Sequence, residues 1–225
     1  MDHKEAYNYL TRYMTDERDQ LFKRIIEQRT RKITVVIEDV YQPHNASAVL
    51  RSCDCFGIQD VHIIENQNTW EVSEGVSLGA YKWLDVQRYN TEENNTLACL
   101  KHLKNQGYRI VATTPHEDDF VPVTLPLDGK IALVFGSEVR GISDLVRQEA
   151  DSYLRLPMYG FTESFNISVA AALSLYALTE RMRQATVDWK LSDLEKNFIL
   201  LQWAKRSIRD GEVILQRYLD AHETP

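Results

Sequence analysis

Cysteine is scarce in this 225-residue sequence, which has only Cys53, Cys55 and Cys99. So small and odd a number excludes a disulfide framework and leads us to expect a reducing, cytoplasmic compartment. No apolar run approaches the roughly 18 residues that a membrane-spanning helix needs. The charged start Met1-Asp2-His3-Lys4-Glu5 is followed by no apolar stretch of the secretory type. Glycine (9) and proline (6) are too few for a collagen-like chain, and 44% hydrophobic with 26% charged residues excludes a disordered chain and a coiled coil. Internal repeats and low-complexity stretches are absent.

A general surplus of basic charge is missing too. Lysine and arginine total 26 against 33 acidic residues, a net charge of −7. A uniformly basic nucleic-acid footprint is therefore excluded. The distribution is uneven: residues 33–180 carry 10 basic and 20 acidic groups, whereas residues 1–32 carry 8 and 6. Within the first segment Lys23, Arg24, Arg29, Arg31 and Lys32 stand against one acid, Glu27. Cys53-Asp54-Cys55 lacks the second ligand pair of a zinc site, His44 has no metal-ligand or nucleophilic companion, and His116-Glu117-Asp118-Asp119 reads as an exposed acidic loop, so no metal is expected.

What is present is an alternation of short apolar strands and helices. Ile33–Ile37, Val61–Glu65, Trp83–Tyr89, Arg109–Thr113, Ile131–Phe135 and Tyr153–Leu156 read as strands. Helices are expected over about 46–56, 92–106, 142–150 and 165–183. Uniformly apolar strands between helices indicate an α/β domain with a mostly parallel sheet and helices on both faces. We place it at 30–182, between an N-terminal helical extension (1–29) and a C-terminal one (183–225) whose Trp189 and Trp203 must pack against something.

In such a sheet, ligands bind beyond the carboxyl ends of the strands. Three loops there stand out. In the first, Pro43-His44-Asn45 precedes a helix, with Asn45 a candidate cap and Arg51 six residues on. In the second, Phe135-Gly136-Ser137-Glu138 runs to Gly141, with two glycines bracketing an acid where backbone can approach a ligand. It lacks the Gly-Lys-Ser/Thr ending of a P-loop and the three-glycine dinucleotide fingerprint. In the third, Leu156-Pro157-Met158 leads to Ser164-Phe165-Asn166-Ile167-Ser168-Val169-Ala170, where Ser164 or Asn166 can cap the following helix.

Together and in this order, the three loops resemble the three motifs of the SpoU/TrmH family of RNA ribose 2′-O-methyltransferases, in the SPOUT superfamily. The resemblance spans about 30–182. It implies a SPOUT fold whose C-terminal part forms a deep trefoil knot, a homodimer with its active sites near the interface, and S-adenosylmethionine as cofactor. Thr113, Gly136, Leu156 and Phe165 match its cofactor-binding positions. Phe165 stands where the family often has leucine. Arg51 matches the catalytic arginine, Asn45 the asparagine that positions it, and Glu138, Ser164 and Asn166 the supporting positions. The family scheme has the arginine take the 2′-hydroxyl proton. A guanidinium holds its proton too tightly for that role. We expect Arg51 instead to orient a phosphate and stabilise the developing alkoxide.

Tyr81-Lys82-Trp83 and the two helical extensions resemble the family members that modify a tRNA D-loop guanosine. Lys23, Arg24, Arg29, Arg31 and Lys32 are the expected RNA contacts, joined by Arg181, Arg183, Lys205, Arg206 and Arg209. The alternative substrate is ribosomal RNA, although residues 1–32 are too short for the separate RNA-binding domain that many such enzymes carry. The alternative class is a catalytically silent RNA-binding protein, against which the full set Asn45, Arg51, Glu138, Ser164 and Asn166 argues.

Overall fold

The computed structural model describes residues 2–71 and 73–222. In chain order its elements are α1 (His3–Leu10), α2 (Asp16–Ile26), β1 (Ile33–Glu38), α3 (Pro43–Phe56), β2 (Asp60–Ile64), α4 (Glu74–Ser77), β3 (Asp85–Tyr89), α5 (Asn95–Asn105), β4 (Tyr108–Thr113), β5 (Lys130–Phe135), α6 (Asp144–Glu149), β6 (Ser152–Leu154), α7 (Ile167–Gln184), α8 (Asp193–Ser207) and α9 (Gly211–His222). They make two compact units: Thr30–Trp189, and the residues up to Arg29 together with those from Lys190.

The larger unit is built on a six-stranded sheet in the order β3-β2-β1-β5-β4-β6. Every neighbouring pair is parallel. Side chains alternate across the sheet, and both faces are covered, as the uniformly apolar strands require. Ile33, Val35, Ile37, Ile131, Leu133 and Phe135 share one core with Val49 and Leu50 of α3 and Leu175 and Leu178 of α7. Val36, Ala132 and Val134 face the other way, onto Leu100 and Leu103 of α5 and Val146 of α6. The α/β class with helices on both faces is thus what the sequence pattern implies.

Strand order reverses between β1 and β5, which lie side by side with Ile37 opposite Phe135. The loops after these strands therefore leave the sheet next to one another in opposite directions, the topology at which open α/β sheets commonly bind ligands. These are the first and second motif loops. The third follows β6, the strand beside β4.

Two local expectations change. The strand expected from Trp83 begins at Asp85, because Ala80–Lys82 forms a 3-10 turn that ends at Trp83. The helix expected from about Ala46 begins at Pro43, whose fixed φ and missing N–H suit a first helical position.

The smaller unit packs α1, α2, α8 and α9 together. Its core includes Leu10, Phe22, Ile26, Ile199 and Trp203, with the Phe22 and Trp203 rings 5.5 Å apart. Trp189 belongs to the larger unit, where its carbonyl accepts from Thr30 Oγ1 at 2.6 Å and Arg183 lies over its ring. Among the described residues no helix is long and apolar enough to cross a membrane.

Candidate active site

The second motif loop folds back on itself. Ser137 and Gly141 exchange backbone hydrogen bonds of 3.0 and 2.9 Å. A side chain at Gly136 would put its Cβ 2.1 Å from the Gly141 carbonyl group, so only glycine fits this close approach. Gly141 has φ +68°, again a glycine conformation. The loop is braced from below by Glu38, a buried carboxylate that accepts from the Ser143 N–H (3.0 Å), the Ser143 hydroxyl (2.8 Å) and the Thr96 hydroxyl (2.7 Å). Ser143 also caps α6. The sequence reading missed this brace, since an acid at a strand end carries no local signal.

The three motif loops are joined by a directional hydrogen-bond chain. Ser168 donates to Asn166 Oδ1 through its N–H (2.9 Å) and its hydroxyl (2.6 Å). Asn166 Nδ2 donates to Asn45 Oδ1 (3.1 Å), and Asn45 Nδ2 donates to Glu138 Oε1 (2.6 Å). The second Glu138 oxygen accepts the Tyr41 N–H at 3.1 Å. Each amide is thereby held in one orientation, and the chain ends on a carboxylate, which strengthens its last link. Asn166 is the N-cap of α7. Asn45 is not a cap: it sits inside the first turn of α3, and its side chain is spent on the other two motifs. Ser168 was overlooked, although a serine two residues after a capping asparagine is a recognisable signal.

Beside this chain lies a cavity of about 470 Å³. Thr113, Gly136, Leu156 and Phe165 all line it, as do Glu138, Ser164 and Asn166. Its walls include the apolar Phe135, Leu154 and Ile167, and Arg140, Arg147 and His116 add charged and polar groups. Ser164 makes no hydrogen bond with the described residues.

Asn45 and Arg51 do not line the cavity. Arg51 stands exposed on α3 and forms neither hydrogen bond nor ion pair with the described residues. Hydrogen bonds thus join Asn45, Glu138 and Asn166, and the Arg51 side chain takes no part in that chain. His44 Nδ1 lies 3.2 Å from Ser73 Oγ. Among the described residues no group of three or more His, Cys, Asp and Glu side chains is arranged to hold a metal.

The expected RNA contacts divide. Arg29 is 3% exposed, with its guanidinium over the Trp203 ring. Arg31 forks between Asp60 and Asp85 at 3.0 and 2.9 Å. Both are spent inside the fold, which corrects the reading of that run as one basic surface. Lys23 is exposed and pairs with Asp19 one turn away, Arg24 is exposed, and Lys32 is half-buried. Arg181 donates to the Pro122 and Leu125 carbonyls, Arg183 to that of Phe56, and Lys205 pairs with Glu212.

Residues 32–176 match the SpoU rRNA Methylase family. A tRNA (guanosine(18)-2'-O)-methyltransferase of Borreliella burgdorferi is 35% identical over 91% of this chain and 92% of its own. One from Thermus thermophilus is 31% identical over 87% of this chain and 100% of its own. Among solved structures, the A. aeolicus TrmH/SpoU tRNA modifying enzyme superposes with a TM-score of 0.75 at 27% identity, covering 86% of this chain and 98% of that one. The glycine-bound loop, the three-motif hydrogen-bond chain and these matches lead to one assignment: the chain belongs to the SpoU family of RNA methylases.

Proposed function

We propose that this protein transfers a methyl group from S-adenosylmethionine to the ribose 2′-hydroxyl of guanosine 18 in the D-loop of tRNA. The observation that carries the reading is the Ser168–Asn166–Asn45–Glu138 chain, which ties the three motif loops together at the edge of the cavity. The relatives named above, matched over nearly their whole length, supply the nucleoside and the RNA class.

The cavity fits the cofactor. Its volume lies in the range of small-molecule sites, about 300–1,000 Å³. Phe135, Leu154 and Ile167 offer apolar walls for a purine, and the bare Gly136 loop offers backbone groups at close range. Thr113, Leu156 and Phe165 hold the remaining sides. Bound there, S-adenosylmethionine supplies a methyl group on a sulfonium, a good leaving group that needs no metal. The protein's part is positioning, which carries much of the rate in such a transfer. Asn45, Glu138 and Asn166 fix the three loops, and Ser164 faces the cavity with its hydroxyl available to a ligand. In this reading Arg51 lies beside an RNA phosphate. It holds that phosphate and stabilises charge developing on the ribose oxygen. Lys23, Arg24 and Lys32 are the proposed RNA contacts from the basic run.

A homodimer belongs to this reading. Phe165, Val169, Leu173 and Tyr176 form an exposed apolar stripe at helical spacing at the start of α7 and along it. Tyr159 and Phe161 are exposed nearby in sequence. A second copy covering that stripe gives these side chains a buried environment. Arg51 stands exposed on α3, the helix packed against α7, and in this reading the second copy lies close to it. The fold is extended to the family's deep trefoil knot, which an experimental chain trace tests, and the setting to the cytoplasm.

The test is methyl transfer from radiolabelled S-adenosylmethionine to unmodified tRNA and, in parallel, to ribosomal RNA fragments. Label on a D-loop ribose is expected, with the rate reduced about 10²–10³-fold in Arg51→Ala. Label confined to ribosomal RNA discards the substrate, and no label on either RNA overturns the assignment.

A further inference from the structure

Two hydroxyls are buried along α7, and they behave differently. Thr179 Oγ1 donates to the Leu175 carbonyl one turn back at 2.7 Å, the usual solution for a buried helical hydroxyl. Ser174 is 1% exposed, yet its Oγ has no partner among the described residues. Ser174 also lines the cavity, one and two turns after Ala170 and Ile167, which line it too. A buried hydroxyl without a partner is costly. Ser77 and Ser152 are buried with unpartnered Oγ atoms too, but neither lines the cavity, so of the three only Ser174 is placed to take the missing bond from a ligand bound there.

Exposure separates the two ends of the cavity. Arg140, Glu138 and Glu163 are exposed, whereas Ser174 and the apolar Phe135 and Leu154, which line the same cavity, are buried. The flat, apolar part of a nucleoside ligand belongs at the buried end, and its reacting methyl belongs at the open one. Adenine offers both acceptor nitrogens and an amino donor, and a serine hydroxyl can serve either. We propose that Ser174 is a cofactor-binding residue whose Oγ hydrogen-bonds the adenosine half of S-adenosylmethionine at the floor of the cavity. This rests on reading the cavity as the cofactor site.

The test compares wild type with Ser174→Ala by titration calorimetry with S-adenosylhomocysteine, and by thermal melting without ligand. The variant is expected to bind about tenfold more weakly. Its ligand-free Tm is expected to be unchanged or a few degrees higher, since an unsatisfied hydroxyl has been removed from a helix interior. Opposite signs for affinity and stability distinguish a ligand contact from a structural role. Competition with methylthioadenosine, which lacks the amino-acid half, is expected to show the same loss. Equal affinity in both proteins overturns the inference while leaving the cofactor reading intact. Weaker binding with a lower ligand-free Tm, or a loss seen with S-adenosylhomocysteine alone, overturns it as well. Absence of binding by the wild type overturns the cofactor reading, and the inference with it.

Discussion

Beyond β2 and β3 the loops of the sheet close on one another, and beyond β4, β5 and β6 they surround a cavity. On the closed side, Asp39 Oδ1 accepts the N–H groups of Asn66, Gln67 and Asn68 at 2.8–3.0 Å, with Asp39 itself at φ +52°. Glu65 accepts two bonds from Arg88 at 2.8 and 2.7 Å, the Trp70 N–H and Asn90 Nδ2. Burial works against the charge on Glu65, but these donors outweigh it and hold the carboxyl below its ordinary range. On the open side Ser174 and Ser164 lack partners among the described residues, and Phe165 is exposed. Both regions sit at the carboxyl end of one parallel sheet. Unpartnered buried atoms occur on both sides, Trp70 Nε1 and Ser77 Oγ on the closed one and Ser174 Oγ on the open one, but of these three only Ser174 lines the cavity. The difference teaches that an unsatisfied group marks a ligand site where a cavity adjoins it.

The largest effect is expected on the closed side. His62 on β2 is 4% exposed, with Nδ1 3.1 Å from Tyr89 Oη. Burial, reinforced by His102, pushes its imidazole down to about 4. Above its unfolded value of about 6.5 the ring is neutral in both states, and its contribution is complete. As the pH falls from there towards 4, the unfolded chain takes up the proton first, and stability is lost. The loss is about 3 kcal/mol at full extent. Urea unfolding at pH 7 and pH 4 is expected to show that drop in wild type and a smaller one in His62→Gln. Equal slopes would remove His62 as the acid-sensitive element. Next in size is Gly136→Ala on the open side. Because the added Cβ meets the Gly141 backbone, the loop must open, and S-adenosylhomocysteine affinity is expected to fall about 100-fold, roughly 2.7 kcal/mol. Calorimetry measures it, and retained affinity would mean that the cradle is elsewhere.

The strands were legible because β1 and β5 are buried on both faces and so read as unbroken apolar runs, Ile33–Ile37 and Ile131–Phe135. Helix ends were less so. The break between α8 and α9 falls at Asp210-Gly211, a turn pair with Asp210 at φ +59°, inside the single C-terminal helical extension expected over 183–225. Asn45 looked like a cap because its neighbours are those of a helix start, and its real partner, Glu138, is 93 residues away. The motif loops were recognisable as strings, but their joining depends on the strand order reversing between β1 and β5, which no local pattern encodes. Arg29 and Arg31 were misread for a related reason: charge in sequence does not reveal a tryptophan ring or two aspartates waiting in space. Ser174 sat unnoticed in a helix read by its leucines and alanines.

Glu65→Ala tests whether the closed region is only structural. The carboxylate is 4% exposed and leaves behind the Trp70 N–H, Asn90 and Arg88. Arg88 is 40% exposed and can rehydrate, so the loss is set mainly by the other donors, at about 2 kcal/mol. Unfolding in urea is expected to show it, with S-adenosylhomocysteine affinity unchanged within about twofold.

The smallest effect is expected where the two regions touch. Arg140, in the cavity's glycine loop, donates from Nη1 to Gln67 Oε1 at 2.9 Å, and Gln67 is held by Asp39. The bond is exposed and its acceptor is neutral, so Arg140→Ala is expected to change stability by less than about 0.5 kcal/mol. If closed and open regions are independent, Gln67→Ala leaves cofactor affinity unchanged, while Arg140→Ala alters it only through the charge lost at the cavity wall. Adding Gln67→Ala to Arg140→Ala then changes nothing more. If the closed loops instead hold the glycine loop in place, Gln67→Ala alone weakens S-adenosylhomocysteine binding, and the double variant matches Arg140→Ala because the shared bond is already gone. Calorimetry on the two single variants and the double variant separates these outcomes, and only the first keeps the contrast between the two regions intact.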